Sequence, residues 1–169
     1  VSSGYGLWKS VDAGKTWVFS GLPNSRHIPR IAIHPTNPDI VYAAVLGNIY
    51  KPTKDRGVYK SMDGGKSWDK VLFSNEHSGA VELVMDPSNS RVLYASTWRV
   101  NRTPYSLNSG GEGSALWKST DEGQTWNEIS TNEGFAPGIL GIMGIKVSPI
   151  NSQKVWAIVE NKEEGGVYK

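Results

Sequence analysis

At 169 residues, with a net charge of +2 and a fifth of its residues charged, the chain lacks the basic surplus of a nucleic-acid binder or of a protein held to an anionic membrane. It contains no cysteine, which excludes a disulfide framework and thiolate metal sites. No apolar run approaches the roughly 20 residues of a bilayer-crossing helix, so no membrane insertion is expected.

In chain order, residues 7–9 and 16–19 are the first strand-like segments, short and rich in aromatic and β-branched side chains. The octapeptide Ser10-Val-Asp12-Ala-Gly14-Lys-Thr16-Trp17 joins them. A second set covers residues 30–34, 40–46, 57–61 and 67–72, with Ser61-Met-Asp63-Gly-Gly65-Lys-Ser67-Trp68 between its last two members. A third covers 81–86, 91–98, 115–119 and 125–130 and carries Ser119-Thr-Asp121-Glu-Gly123-Gln-Thr125-Trp126 at the same place. The fourth covers 144–148, 154–160 and 166–169. The frame Ser-x-Asp-x-Gly-x-Thr/Ser-Trp thus recurs at intervals of roughly 50 to 60 residues, the mark of an architecture whose units bury their faces on one another.

Four short strands per unit, a to d, joined by tight turns, make a blade of a β-propeller, so the expected fold is all-β: a propeller fragment of about three and a half four-stranded antiparallel blades. Residues 1–20 would hold strands c and d of a first blade, 21–73 the second, 74–131 the third and 132–169 a truncated fourth. Gly166-Val-Tyr-Lys169 matches Gly57-Val-Tyr-Lys60, so a further octapeptide is expected directly after Lys169 and the remaining blades from sequence beyond this chain.

The octapeptide falls between strands c and d and reads as a self-locking turn. Its aspartate can accept from backbone N–H groups a few residues on, its glycine can take positive φ, and its hydroxyls can satisfy what remains. The tryptophan opens strand d with a large area to bury. The structural set is Ser10, Asp12, Gly14, Thr16 and Trp17; Ser61, Asp63, Gly65, Ser67 and Trp68; and Ser119, Asp121, Gly123, Thr125 and Trp126. A calcium loop would need a glutamate at its twelfth position, where Pro23, Ser74 and Asn132 stand instead. Neither a metal nor another cofactor is expected.

These octapeptides resemble the Asp-box, or BNR repeat, of sialidases, xyloglucanase-type glycoside hydrolases, sortilin-type receptors and photosystem assembly propellers. The stretches from Arg26 to Pro35 and from Gly79 to Pro87 are similar to those of secreted bacterial BNR proteins of the sortilin-like or glycosyl-hydrolase-like kind. The resemblance implies a secreted, cell-surface or periplasmic protein. It leaves three functions open: a module binding a glycan or protein ligand, a glycoside hydrolase of xyloglucanase or sialidase type, and an architectural docking segment.

Meander geometry places the octapeptides and the short a–b turns on one face and the b–c and d–a loops on the other. The long segments 47–56 and 99–114 (b–c) and 20–29, 73–80 and 131–143 (d–a) make the second face the expected working surface. Trp98 departs from the repeat, aligning with Leu46 and Glu160, and opens the longest loop beside Arg99, Arg102 and Tyr105. An aromatic flanked by arginines suits a sugar ring or a carboxylate. Tyr50 is a second loop aromatic. Arg26, His27 and Arg30 sit where a d–a loop enters strand a, and the sialidase resemblance would give such inward arginines a substrate carboxylate. Asp55, Glu76, Glu82, Glu112 and Glu133 are the loop-face carboxyl groups, and their spacing pairs no two of them.

Overall fold

The computed structural model describes residues 4–161 and the backbone of 166–168. Among these residues every regular element is a strand. β1 (Trp8–Lys9) and β2 (Val18–Phe19) pair as strands c and d of the first sheet. β3 (Arg30–Ile33), β4 (Val41–Val45), β5 (Gly57–Ser61) and β6 (Asp69–Leu72) form a four-stranded antiparallel meander in chain order. The third sheet repeats it with β7 (Ser78–Asp86), β8 (Asn89–Arg102), β10 (Ala115–Ser119) and β11 (Asn127–Glu128). β12 (Leu140–Val147), β13 (Val155–Asn161) and β14 (Gly166–Tyr168) form the fourth. These are the sheets of a β-propeller. Lys162 to Gly165 and Lys169 of the fourth set fall outside the described residues.

The hydrophobic cores lie between sheets. Tyr42, Ala44, Val58 and Leu72 of the second sheet pack on Ala80, Leu83, Leu93 and Ala95 of the third. Tyr94 and Leu116 of the third meet Met143, Ile145, Val147, Ala157 and Val159 of the fourth. Leu7 meets Ala43 and Val45 between the first and second. Both faces of the middle sheets are therefore buried, which is why their strands read as apolar runs rather than clean alternations. Trp68 and Trp126 pack against these cores. Trp17 does not bury the area expected of a box tryptophan: it is more than 40% exposed, as are Trp8 and Trp156.

The octapeptides fold as expected, three times over. Asp63 Oδ1 accepts from Ser61 Oγ (2.8 Å) and from the amides of Lys66 and Ser67 (both 2.9 Å), and its Oδ2 accepts from Ser67 Oγ (2.6 Å). Asp12 and Asp121 repeat the bonds to their serine and threonine partners. In each copy the serine oxygen also accepts from the glycine amide at 2.8 Å. The tryptophan Nε1 donates to that glycine's carbonyl. Gly14, Gly65 and Gly123 sit at φ between 81° and 89°, where a side chain would be strained.

The two faces separate as the meander requires. The box amides of Gly64 and Glu122 donate to Asp39 and Arg91 carbonyls in the a–b turns, both at 2.9 Å. On the opposite face the b–c and d–a loops lace together through Thr53 N to Glu76 O (3.0 Å), Ser78 Oγ to Glu112 O (2.9 Å) and Gly111 N to Leu140 O (3.1 Å).

One segment departs from expectation. Residues 99–114 are not a single irregular loop: β8 runs on to Arg102 and pairs with β9 (Leu107–Ser109) as a projecting ribbon. Only Val100 of its outer part is buried. The ribbon thus lacks the apolar alternation that announces a strand, and a hydroxyl-rich turn closes it, with Thr103 N donating to Ser106 O at 2.9 Å.

Candidate functional site

The inner strands β3, β7 and β12 converge on a cavity of about 530 Å³ lined by Pro29, Arg30, Leu46, Val81, Glu82, Ile142, Met143, Gly144, Ile158, Val159 and Glu160. Two of the three inner strands are bulged beside it. In β7 the register against β8 jumps between Ala80 and Glu82, leaving Val81 unpaired, and in β12 it jumps between Leu140 and Met143. Bulges re-aim side chains and gather next to functional sites.

Each bulge serves a carboxylate. Glu82 takes the Arg30 guanidinium across the sheet boundary, accepting from Nε at 2.6 Å and from Nη2 at 3.3 Å. Glu82 is buried and Arg30 half-exposed, so this two-point pair joins inner strands of adjacent blades at the cavity wall. Glu160, opposite the β12 bulge, folds back so that its Oε2 accepts from the Ile142 amide (2.9 Å) and from Ser109 Oγ (2.6 Å). Ser109 Oγ in turn accepts from Trp98 Nε1 at 2.8 Å. Gly141 makes room for that fold: a Cβ there would lie 2.9 Å from Glu160 Cγ. Oε1 of Glu160 carries no hydrogen bond among the described residues. The cavity therefore has an apolar floor and two anchored carboxylates, a lining that suits a sugar ring, whose faces are apolar and whose rim is hydroxyl.

The residues singled out from sequence distribute unevenly around this cavity. Arg30 lines it. Trp98 stands behind it, half-buried against Leu46, Val81 and Val100, and reaches Glu160 only through Ser109. Arg99 is half-buried, while Arg102 and Tyr105 project on the β8–β9 ribbon, with Tyr105 98% exposed at its tip. Tyr50 and Arg26 are exposed on other loops, and Arg26 holds a left-handed φ of 58°. His27 corrects the expectation. It is buried, with Nδ1 2.7 Å from the Gly47 carbonyl and its own carbonyl accepting from Leu46 N, so it ties a d–a loop to a b–c loop and faces no open surface. Among the described residues no group of acidic and histidine side chains could hold a metal ion.

Glu160 and Ser109 went unforeseen as site residues. The signal was there: Glu160 occupies the end of strand b, where the other units carry Leu46 and Trp98, and a lone charge at an apolar repeat position marks a departure from scaffold duty.

Arg56, in the b–c loop of the second blade, is a further oddity. It is 1% exposed; Nη2 donates to the carbonyls of Asn48 (2.6 Å) and Val100 (3.4 Å), while Nε and Nη1 have no partner. Burial pulls its pKa down to about 10. An enclosed cation without a carboxylate costs more than its two carbonyl bonds return. Arg56→Met, which keeps the volume and removes the charge, should stabilise the fold by on the order of 1 kcal/mol in denaturant titration. A clear loss of stability would mean that the ties to Asn48 and Val100 outweigh the burial.

Residues 5–134 match the Sortilin-Vps10 family, described as sortilin, neurotensin receptor 3. A xyloglucanase of Paenibacillus sp is 26% identical over 140 residues, covering 75% of this chain and 12% of that protein. A xyloglucanase of Hypocrea jecorina (strain QM6a) is 31% identical over 113 residues, covering 62% of this chain and 12% of that protein. The chain thus spans about an eighth of the length of these curated relatives. Among solved structures, the GH74 xyloglucanase from Xanthomonas campestris superposes with a TM-score of 0.67 at 21% identity, over 94% of this chain and 24% of that one. An ancestral GH74 enzyme gives 0.68 at 17% identity, over 93% and 19%. These structural likenesses speak for the fold.

Proposed function

The chain belongs to the Sortilin-Vps10 family, and from that premise we propose that it is part of a secreted, glycoside-hydrolase-like propeller that binds a neutral polysaccharide of the xyloglucan class over its loop-face cavity. The observation that carries this reading is the lining of the cavity. Its floor of Leu46, Val81, Ile142 and Met143 suits the C–H face of a pyranose, and Glu160 offers an acceptor for hydroxyls. Neutrality of the ligand follows from Arg30. Glu82 already neutralises this guanidinium, the only basic group in the lining among the described residues, which leaves no free cation there for an acidic sugar. That argues against the sialidase-type alternative.

A hydrolase reading has a specific observation in its favour: two glutamates, Glu82 and Glu160, line one cavity, and the named relatives are xyloglucanases. The binding reading is preferred because both oxygens of Glu82 are engaged by Arg30, which leaves that carboxylate no free position from which to act on a bond.

Calorimetric titration with a xyloglucan oligosaccharide tests the proposal. Binding should be measurable, should weaken about tenfold in Glu160→Gln, and should hold in folded Asp63→Asn. Equal affinity in wild type and Glu160→Gln, or no binding at all, would remove the cavity as the site. Release of reducing ends that Glu160→Gln abolishes would move the assignment to the hydrolase.

A further inference from the structure

A second cavity, of about 350 Å³, opens where the loop that leaves β2 meets the outer strands of the second sheet. Ser25 lines it from the first of these sides. This serine is 3% exposed, and its Oγ has no hydrogen-bond partner among the described residues. A buried hydroxyl in that state carries an uncompensated desolvation penalty, which a ligand that reaches it can relieve. Asp55 lines the cavity from the facing b–c loop. Its Oδ2 accepts from Thr53 Oγ1 at 2.6 Å, while Oδ1 carries no hydrogen bond among the described residues. Tyr59 and Trp68 supply aromatic walls whose polar atoms are already engaged. Tyr59 Oη donates to Asp55 O at 3.1 Å, and Trp68 Nε1 donates to Ser20 O at 2.8 Å. These rings therefore offer the cavity carbon surface alone.

The next junction shows that the opening is not a property of the repeat. Counted from the box residues, Gly113 stands where Asp55 does, and Asn75 where Asn24 does. There Ser74 Oγ donates to Gly113 O at 3.2 Å, while Ser78 Oγ (2.9 Å) and Asn75 Nδ2 (3.3 Å) donate to Glu112 O. A Cβ on Gly113 would strike all three of these side chains, so the space is closed. Between the first and second sheets no hydrogen bond joins residues 21–25 to Asp55 among the described residues. The equivalent place carries a carboxylate and stays open. The loop beside it is strained, with Leu22 at a φ of 56° and Arg26 at 58°, a conformation that non-glycine residues adopt at a cost.

We propose that this cavity is a second carbohydrate site. It takes one pyranose ring against Tyr59 and Trp68, with Ser25 Oγ and Asp55 Oδ1 engaging its hydroxyls. Aromatic carbon surface suits the C–H face of a sugar, and a few placed polar groups fix its orientation. Asn24 and Lys66, exposed at the rim, can donate to further hydroxyls. The two cavities share no lining residue, so this site stands whether or not Glu160 binds sugar.

Titration with glucose, followed through backbone amide signals, tests the proposal. Signals of Ser25, Asp55 and Tyr59 should move together with one affinity, in wild type and in Glu160→Gln alike. Ser25→Ala should weaken that affinity about fivefold and melt at the wild-type temperature or slightly above it, since it removes a buried hydroxyl that lacks a partner. Asp55→Asn, which keeps an acceptor for Thr53 Oγ1 and turns an NH2 group to the cavity, should weaken it by a similar factor. No movement of these signals, or equal affinity in wild type and Ser25→Ala, overturns the proposal. So does a lower melting temperature in Ser25→Ala, because an internal water would then satisfy the hydroxyl.

Discussion

Gly79→Ala should be among the most damaging single-methyl additions the protein can receive. Gly79 lies on β7 of the third sheet against Leu46 of the second unit, and a Cβ there would sit 2.6 Å from Leu46 Cα and 2.7 Å from its carbonyl carbon. These are backbone atoms, so no rotamer change relieves the clash. Leu46 is itself buried, and its amide is bonded to His27 O at 2.9 Å. The methyl can fit only if the two blades part, which also opens the core of Tyr42, Leu72, Leu83 and Leu93. Overpacking costs 1–3 kcal/mol where side chains can yield, so a backbone obstacle puts this substitution at about 3 kcal/mol or more. That corresponds to a fall in melting temperature of roughly 10 °C for a chain of this size. An unchanged melting curve would mean that the blades do not meet this closely.

Acid should begin to unfold the protein below about pH 4. The hydroxyl and amide donors around Asp12 and Asp121 lower their pKa values from 3.8 to about 2, and Asp63 is pulled further in the same direction by Ser67. A carboxylate whose folded pKa lies below its unfolded one stabilises the fold fully above the unfolded value, and that contribution disappears as pH falls through the folded value. The Asp12 and Asp121 turns lose their anchor in this window and the Asp63 turn at lower pH still, so the transition should begin below pH 4, continue past pH 2 and be followed by circular dichroism. Asp63→Asn should make it shallower, because the amide leaves one fewer group to titrate, and should lower the melting temperature at neutral pH. A protein whose stability does not fall at all between pH 4 and pH 2 would show that Asp12 and Asp121 contribute little to holding the blades.

The fold was almost entirely legible because it repeats. Three copies of one turn fixed where strands c and d lie, and the bounds of β5 and β10 follow from the frame residue by residue. The segregation of the loops onto two faces followed from the meander alone. What escaped was whatever breaks the repeat. The β8–β9 ribbon faces solvent on nearly all sides, so nothing imposes apolar alternation on Arg102 or Asn108. His27 gave no sign that it would be buried, since a loop histidine reads the same whether it meets a ligand or a carbonyl. The pairing of Arg30 with Glu82 joins residues far apart in sequence and depends on a bulge at Val81 that no local pattern announces. The site is hard to read for the same reason that it is a site: Glu160, Ser109 and Arg30 answer to contacts between blades, whereas the scaffold answers to contacts within them.

The most direct measurement is a titration of isotope-labelled protein with a xyloglucan oligosaccharide, followed residue by residue through backbone amide signals. Signals of Arg30, Val81, Glu82, Ile142 and Glu160 should move together with one affinity, while those of Gly14, Gly65 and Gly123 stay fixed on the opposite face. Movement confined to the three glycines would place the sugar among the aspartates and contradict the division of the molecule into a fastened face and a binding face.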